Sequence, residues 1–565
     1  MIAAERYQNL GELLWDALIQ YKSQTALIEA DRKRERRTMS YLELKKESAA
    51  FAATLKDLGV NASDRVAIVM SNQSNWIIAA LGVFFRGAVL VPIDYKLSAD
   101  DQLKLVEHSG ARVLITEYPA FRPLAEHLTV SAIVSEVPEK YASSIDATRF
   151  ETAVQHAQPI QRPEERQRDD VACIVYSSGT GGAPKGCQLT HENYLSQYTS
   201  LTALFPLQSG DRYFSILPTN HAIDFMCGFV GPLAGGATVV HQRTLRPEFI
   251  NHSMKHYAIT HIAVVPLLLE AFETRIREQL DEKTEPVRAA FDLLTRVNAS
   301  LTSKTPKHAL SKKLLKPVHD AFGGHLKLVF CGGAFVDRER AQFFYDLGIP
   351  VVIGYGLTEA CTVLTVNDLK PFRPDSVGVP LQGVEIEIRG SADGERVGEV
   401  WAKSPTVMRG YLDDAEQTDE VLIDGWLRTG DLGYLDASGH LHLVGRSKNM
   451  IVTAGGKNIY PEDIENAFND LPCDEMVVFA ANYVWPGGKL TDESLVAVVR
   501  GMEDPDPAAL FQRYNQKLPD FKRIRGLLRW ESEFPRTASM KVKRPVLAEE
   551  LRAKSSRDQI EQVMS

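Results

Sequence analysis

The sequence predicts an α/β fold: a large N-terminal domain of α/β layers plus a β-rich subdomain, with a small, mobile α+β C-terminal domain. Three observations support this prediction. Helical and strand patterns alternate from Ser40 onward, short alternating strands with Gly and Asp turns follow residue 383, and helices and strands resume after Gly445. We place the domain boundary near Lys448, which gives domains of residues 1–447 and 448–565.

The alternation begins with a helix whose two ends are both marked. Ser40 and Glu43 form a capping-box signature, and Gly59 provides the C-terminal stop. Four apolar residues between them repeat on one helical face, namely Leu44, Phe51, Leu55 and Leu58. The elements expected next are a strand at 66–70, a helix at 75–85, a strand at 88–93, a helix at 99–108 and a strand at 113–116.

Composition excludes several classes of protein. The chain has 565 residues, 24% charged and 44% hydrophobic, as globular proteins have, and its formal charge of −9 argues against nucleic acid as a partner. The apolar stretch 76–93 is interrupted by Arg86 and Gly87, so we predict a helix and a strand rather than a transmembrane span. The six cysteines form no C-x-x-C pair and no targeting signal is visible, which favours reduced thiols and a cytoplasmic location.

A glycine-rich loop is the first candidate site. The segment YSSGTGGAPKG (176–186) follows a predicted strand at 171–176 and combines four glycines, three hydroxyl residues and Lys185. Backbone N–H groups, hydroxyls and an ammonium suit a phosphate chain such as that of ATP or pyrophosphate. The spacing departs from the Walker A pattern. A flexible surface loop is the alternative interpretation of this segment taken alone.

Five further blocks follow this loop in order: PTNHAIDF (218–225), GYGLTEA (354–360), WLRTGDLGYLD (426–436), GRSKNMIVTAGGKNIYPEDIE (445–465) and PRTASMKVKR (535–544). Together with the loop they resemble the adenylate-forming superfamily of acyl-CoA synthetases, carrier-protein adenylation domains and firefly luciferases. The resemblance extends from Ser40 to Arg544, and its details are most similar to long-chain fatty acyl-CoA synthetases. It implies ATP, Mg²⁺ and coenzyme A as the small molecules used.

The resemblance also implies roles for residues of these blocks. Tyr355 resembles the residue that stacks on adenine, with Gly356 beside it, Thr358 the one that contacts the α-phosphate, and Glu359 the Mg²⁺ ligand. Asp431 resembles the carboxylate that accepts the ribose hydroxyls, and Arg446 the arginine that contacts the ribose. The phosphate loop is represented by Ser177, Ser178, Gly179, Thr180, Gly181 and Lys185.

The C-terminal domain resembles a lid with two roles. Lys541 matches the lysine that offsets the repulsion between a carboxylate and the α-phosphate, although Met540 replaces the usual glycine and Lys543 is a nearby competitor. Lys448 matches the hinge about which the lid rotates before thioester formation, and Gly455 matches a glycine that lines the pantetheine tunnel. No residue is identified as a base for the thiol.

The acid substrate is indicated less directly. His221 resembles a histidine that borders the carboxylate pocket. Asp224 lies in the same block but does not occupy an amine-binding position, which favours a fatty acid over an amino acid. The apolar segments 226–236 and 331–335 are compatible with an acyl tunnel, and equally with an ordinary core.

A basic region between the blocks, about 273–326, has several interpretations. Leucines alternate there with lysines, which is typical of an amphipathic helix. Such a helix could contact a membrane or an acidic carrier protein, or could simply present a solvated face.

The sequence therefore predicts an ATP- and Mg²⁺-dependent acyl-CoA synthetase that forms AMP and acts on medium- to long-chain fatty acids. One alternative is an acyl-AMP ligase or acyl-carrier-protein synthetase, which differs in the thiol accepted. Another is a non-catalytic acyl-adenylate or nucleotide sensor, suggested by Gly181 where threonine is usual and by Met540. Chain length, acceptor and oligomeric state stay open at this level.

Overall fold

The computed structural model describes residues 2–177, 185–390, 396–452, 458–485, 494–504, 506–536 and 541–563. Its strands, in chain order, are β1 (Thr25–Asp31), β2 (Arg34–Ser40), β3 (Arg65–Val69), β4 (Val89–Ile93), β5 (Val113–Glu117), β6 (Ser131–Ser135), β7 (Thr148–Arg149), β8 (Val171–Ser177), β9 (Lys185–Thr190), β10 (Arg212–Ser215), β11 (Thr238–Gln242), β12 (His261–Val264), β13 (Leu328–Gly332), β14 (Val351–Tyr355), β15 (Thr365–Val366), β16 (Val379–Pro380), β17 (Glu385–Arg389), β18 (Gly398–Lys403), β19 (Gly410–Tyr411), β20 (Leu422–Ile423), β21 (Trp426–Leu435), β22 (Leu441–Arg446), β23 (Ile451–Val452), β24 (Asn458–Ile459), β25 (Glu475–Ala480), β26 (Leu495–Arg500), β27 (Ile524–Arg529) and β28 (Glu561–Gln562).

The α-helices are α1 (Leu10–Gln20), α2 (Tyr41–Asp57), α3 (Ser74–Phe85), α4 (Ala99–Ser109), α5 (Tyr118–Leu124), α6 (Phe150–Ala153), α7 (His191–Leu204), α8 (Ala222–Asp224), α9 (Gly231–Gly235), α10 (Pro247–His256), α11 (Pro266–Asp281), α12 (Glu285–Thr302), α13 (His308–Leu314), α14 (Lys316–Ala321), α15 (Arg338–Asp346), α16 (Ala415–Val421), α17 (Pro461–Ala467), α18 (Ala481–Val484), α19 (Pro507–Asn515) and α20 (Arg544–Lys554). Short 3-10 turns occur at Thr358–Ala360 and Ser447–Asn449, among others, and a π-helical turn at Phe225–Val230. No helix in the described ranges has both the length and the apolar character needed to cross a bilayer.

Two large sheets organise the N-terminal part of the chain. One has the strand order β19-β9-β8-β4-β3-β5-β6-β7, and the other β16-β15-β14-β13-β12-β10-β11-β1-β2. Their central strands are parallel, for example β3 with β4 and β5, and β12 with β13. The predicted α/β fold with parallel strands is confirmed.

Alternate side chains of each strand point to opposite faces of its sheet. In β3, Val66 and Ile68 belong to a large buried cluster that also contains side chains from α1, α2, α3 and the second sheet. Ala67 and Val69 belong to a different cluster, which α4 covers. Helices α1 to α3 are therefore packed between the two sheets, and further helices cover the outer faces.

The described chain is divided into two compact units. The first contains the described residues up to 177 and those of 185–385 and 402–427, and the second contains the described residues of 386–401 and those after 427. Strands β17, β18 and β21 of a third sheet each run across one of these divisions. The boundary predicted at Lys448 stays a prediction.

The second unit contains a sheet of order β25-β26-β27-β28. Val478, Ala497 and Val499 face one buried cluster, whereas Val477 and Val498 face another. Helices α17 and α19 supply the first cluster, and α18 and α20 the second. This arrangement confirms the predicted small α+β domain.

Candidate active site

The predicted phosphate loop connects two paired strands of the first unit. Strand β8 ends at Ser177, which pairs with Lys185 at the start of the antiparallel β9. Residues 178–184 lie outside the described residues, so nothing is assigned to Ser178, Gly179, Thr180 or Gly181. The same holds for Gly455, and for Met540 before Lys541.

Lys185 lies beside a phenol and a carboxylate. Its Nζ is 5.0 Å from the centre of the Tyr411 ring, and the Tyr411 hydroxyl donates to Glu359 Oε1 at 3.0 Å. Strand β19 places Tyr411 opposite Cys187 of β9. Burial, together with the nearby Glu359 carboxylate, raises the pKa of Tyr411, so the phenol stays a hydrogen-bond donor. The structure thus groups an ammonium, a phenol and a carboxylate at the end of the phosphate loop.

Tyr411 was not identified from the sequence. It lies more than 200 residues from Lys185 and about 50 from Glu359, and only the pairing of β19 with β9 brings the three together. The backbone N–H of Met408 also donates to the Glu359 carbonyl at 2.8 Å, which fixes this turn against β19.

The GYGLTEA segment forms a tight turn at the carboxyl end of β14. Tyr355 ends the strand and is buried, and Thr358 and Glu359 begin the 3-10 turn that follows. A Cβ atom at Gly356 would lie 2.0 Å from the carbonyl oxygen of Thr362, so only glycine fits there. Thr362 itself has a positive φ of 131° and donates from its hydroxyl to the Ala222 carbonyl at 3.2 Å. This contact joins the turn to the segment that carries His221.

His221 faces a carboxylate that the sequence analysis did not identify. Its Nε2 lies 3.7 Å from Oδ2 of Asp94, which follows β4, and within the described part of the chain neither atom has a hydrogen-bond partner. Burial alone would raise the pKa of Asp94, but the His221 ring and the Lys96 backbone N–H, which donates at 2.9 Å, lower it overall. A polar residue directly after a parallel strand was the available sequence signal for Asp94.

Asp224 holds the segment around His221 in place through buried hydrogen bonds. The carboxylate is fully buried and accepts from the Tyr213, Ser215 and Thr219 hydroxyls at 3.0, 2.7 and 3.0 Å. Burial raises the pKa of Asp224 to about 6, despite the opposing effect of the three donors. All of these partners are protein groups, which agrees with the expectation that Asp224 does not bind a substrate amine.

The raised pKa of Asp224 predicts a pH-dependent stability. Between about pH 4, where an unfolded aspartate ionises, and pH 6, the folded state holds this proton more tightly, so the free energy of unfolding falls as the pH rises. Two pKa units correspond to a loss of about 3 kcal/mol. We expect the wild type to lose this much relative to Asp224→Asn between pH 4 and pH 7 in urea titrations. A difference that is flat over this range would contradict the assignment.

Other predicted site residues lie in the second unit. Asp431 and Arg446 are opposite each other on β21 and β22, and Arg446 Nε is 2.8 Å from Asp431 Oδ1. The side chain of Asp431 is 7% exposed and that of Arg446 is 37% exposed. Lys448 is exposed in the turn after β22, and Lys541 is also exposed. The contact with Arg446 holds the Asp431 carboxylate in one orientation.

The donor set around Glu359 suits one type of metal ion. Among the described residues, no three His, Cys, Asp or Glu side chains cluster closely enough to hold a metal by themselves. Mg²⁺ commonly binds through one or two carboxylates together with phosphate oxygens and water. A single carboxylate near a phosphate loop therefore fits Mg²⁺ that arrives with a nucleotide.

Comparisons with known proteins agree with this arrangement. Residues 14–412, more than half of the chain, match the family model described as AMP-binding enzyme. The chain is 28% identical to chloroplastic long-chain fatty acid–acyl-carrier-protein ligase AEE15 of Arabidopsis thaliana, over 76% of this chain and 68% of the relative. It is 29% identical to long-chain-fatty-acid–CoA ligase FadD15 of Mycobacterium bovis, over 75% of this chain and 72% of the relative.

A solved structure extends the likeness to the fold. The o-succinylbenzoate CoA synthetase of Bacillus subtilis, in complex with its acyl-adenylate intermediate, superimposes with a TM-score of 0.74 at 24% identity, covering 96% of this chain and 98% of that chain. The match to the family model carries the assignment: this chain belongs to the AMP-binding enzyme family.

Proposed function

We propose that this enzyme joins a carboxylic acid to a thiol in two steps. The acid carboxylate attacks the α-phosphorus of ATP, giving an acyl-adenylate and pyrophosphate. The sulfur of coenzyme A then attacks the acyl carbon, its proton is released, and AMP leaves. The observation that carries the proposal is the cluster of Lys185, Tyr411 and Glu359 beside the GYGLTEA turn.

This cluster has the charges that the first step requires. The Lys185 ammonium would hold phosphate oxygens with the loop residues before it, and Glu359 would hold Mg²⁺, which when bound neutralises phosphate charge. Tyr411 keeps the Glu359 carboxylate in place through its hydrogen bond. In the same proposal Tyr355 and Gly356 contact the adenine, Thr358 the α-phosphate, and Asp431 and Arg446 the ribose.

The remaining roles concern the lid. Lys541 would stabilise the charge that develops during adenylation, Lys448 would act as the hinge, and Gly455 would line the thiol tunnel. These assignments are supported by motif positions. The exposure of Lys448 and Lys541 is compatible with segments that exchange partners during a catalytic cycle.

His221 and Asp94 are the proposed carboxylate-binding pair. The imidazole ring borders the acid, and Asp94 acts as a positioning residue that orients the ring. Asp224 and Asn72 hold the same segment, since the Thr219 N–H donates to Asn72 Oδ1 at 2.9 Å. The turn that carries His221 is therefore held in place by hydrogen bonds to Asn72 and Asp224.

We expect Asp94→Asn to raise the KM for the acid about tenfold, the effect of weakening a contact with a charged group, while the KM for ATP changes little. Steady-state pyrophosphate release measures both constants. Asp57→Asn is a matched control, because Asp57 pairs with His156 on the surface at 2.7 Å. Equal changes in the two KM values would contradict a role limited to the acid.

A medium- to long-chain fatty acid is the proposed substrate. Two large apolar side chains, Leu267 and Phe335, are 50% and 54% exposed where neighbouring strands β12 and β13 end. Ile223, two residues after His221, lies 3.7 Å from where a Cβ of Gly332 or Gly333 would be. An apolar wall thus begins close to the His221 segment, as an aliphatic chain would require. Two relatives are named for long-chain fatty acids, whereas the solved structure is named for o-succinylbenzoate.

Pyrophosphate release with ATP tests this function directly. The acids range from acetate to C18 fatty acids, with aromatic acids and amino acids, each with and without coenzyme A. We expect release that coenzyme A stimulates, with the highest kcat/KM on a fatty acid. Higher kcat/KM on an aromatic acid would overturn the substrate class, and absence of release with every acid would favour the sensor.

An acyl-carrier-protein ligase is the second candidate, because the AEE15 relative is named for that acceptor. Both functions share the first step and differ only in the thiol. Replacing coenzyme A by a phosphopantetheinylated carrier protein, and following acyl transfer by mass spectrometry, separates them.

A further inference from the structure

Helix α12 (Glu285–Thr302) has an unusual distribution of apolar side chains. Asn298 and Thr302 are buried, and Asn298 Nδ2 donates to the Asp346 carbonyl of α15 at 2.9 Å. The exposed side instead carries five aliphatic residues, which we name the α12 stripe: Val287, Leu293, Leu294, Val297 and Leu301. The helix therefore packs through Asn298, Thr302 and the partly buried Phe291, and presents these five aliphatic side chains outward.

The α12 stripe is concentrated and continuous. Its members are between 37% and 62% exposed, and they make up five of the fifteen large hydrophobic residues exposed in the described part of the chain. Spacings of four and seven residues place them on adjacent turns of one helical face. Isolated exposed leucines need no explanation, but an apolar row of this length, about 20 Å at 1.5 Å per residue, indicates a surface that binds something apolar.

Positive charge follows the stripe along the chain. From the start of α12 to the start of β13, residues 285–327, there are eight Lys and Arg against three Asp and Glu, although the whole chain has a net charge of −9. Glu285, Asp292 and Asp320 are the acids, and Lys316 pairs with Asp320. Four exposed cations form no ion pair within the described residues: Arg296, Lys304, Lys307 and Lys313. This region is thus both basic and apolar.

We propose that helix α12 and the basic segment after it dock on an anionic lipid surface. An interfacial helix inserts aliphatic side chains below the headgroups while flanking lysines contact anionic lipid. The stripe contains only Val and Leu, residues that are under-represented at the energetic centres of protein interfaces, where Trp, Tyr and Arg dominate. Lipid therefore fits this surface better than an acidic carrier protein does.

Co-sedimentation of the full-length protein with extruded vesicles tests the proposal. Phosphatidylcholine vesicles are compared with vesicles that contain about one third phosphatidylglycerol, at low and high potassium chloride. We expect binding to the anionic vesicles that high salt weakens. Failure to bind them at low salt, or equal binding to both compositions, would overturn the proposal.

Two sets of variants separate the contribution of the apolar side chains to vesicle binding from the contribution of the lysines. Leu294→Glu with Val297→Glu should lower the partition coefficient at least tenfold, whereas Leu204→Glu, at a 55% exposed leucine on α7, should not. Lys304→Glu, Lys307→Glu and Lys313→Glu combined should lower it by about fivefold per lysine. The matched control reverses three exposed lysines elsewhere, Lys22, Lys56 and Lys104.

If the α12 stripe binds another protein instead of lipid, these experiments give different results. A carrier protein would bind through the lysines without dependence on the two aliphatic residues, and a second copy of the chain would give a dimer in light scattering that Leu294→Glu abolishes without vesicles. Either result overturns the lipid assignment. All substituted side chains are exposed, and circular dichroism with thermal denaturation checks that each variant is folded.

Discussion

Lys541→Ala is expected to reduce acyl-adenylate formation on the order of 10²- to 10³-fold, the effect of removing one preorganised group that stabilises transition-state charge. In that step two anions approach each other, and negative charge moves onto the departing pyrophosphate. A lysine ammonium offsets both effects. Thioester formation from supplied acyl-adenylate brings no carboxylate up to a phosphorus and releases no pyrophosphate, so we expect the variant to retain it.

Single-turnover assays of the two half-reactions provide the measurement. The first follows pyrophosphate release from ATP and a fatty acid, and the second follows thioester formation from synthetic acyl-adenylate and coenzyme A. Lys543→Ala, two residues away, is the matched control and should change either rate by less than about threefold, as surface charges do. Equal losses in both half-reactions of Lys541→Ala would contradict a lysine that acts in adenylation alone.

Local sequence signals predicted much of the fold correctly. The capping box of Ser40 and Glu43 starts α2, and Gly59, which follows its C-cap, has the positive φ expected of a helix stop. The apolar stretch 76–93 does divide into α3 and β4 around Arg86 and Gly87. The boundaries of these elements depend on helix caps, helix-breaking residues and apolar periodicity within a few residues. All of these signals can be recognised in a single sequence.

Elements determined by long-range pairing were missed. The hairpin of β1 and β2 carries Arg, Glu and Thr on an edge strand, so its second strand lacks an apolar pattern, and its place in the sheet comes from the pairing of β1 with β11. Helix α12 lies in the basic region 273–326, where an amphipathic helix was predicted, and the structure leaves five of its large apolar side chains exposed.

In the candidate site, too, local motifs were predicted from the sequence and long-range partners were missed. Motif letters located Glu359 and His221, but their partners Tyr411 and Asp94 are about 50 and 130 residues away in the chain. Nothing in the neighbouring sequence marks Tyr411, and the signal for Asp94, a polar residue directly after a parallel strand, does not show that His221 is its partner. The role of a carboxylate or phenol depends on the residue that the tertiary fold places opposite it. Which residues face each other is known only once the order of strands in the sheets is known.

Glu359→Gln is the second change with a large expected effect. Glutamine keeps the shape and can still accept from the Tyr411 hydroxyl, but it lacks the charge that a hard cation prefers. We expect the rate of adenylation to fall on the order of 10²-fold at about 1 mM Mg²⁺, comparable with loss of one charge-stabilising group. The loss should become smaller as Mg²⁺ is raised, because weak binding can be offset by concentration.

Tyr411→Phe separates positioning from metal binding. It removes one hydrogen bond to Glu359, worth about 1 kcal/mol, so adenylation should fall about fivefold, while Tyr141→Phe at an exposed tyrosine should have no effect. Since Tyr411 is proposed to act through Glu359, the double variant should be no slower than Glu359→Gln alone. Additive losses in this cycle would show that Tyr411 contacts the nucleotide independently. Measured over a Mg²⁺ series, the cycle also distinguishes a weakened metal site, which excess Mg²⁺ rescues, from a disordered turn, which it does not.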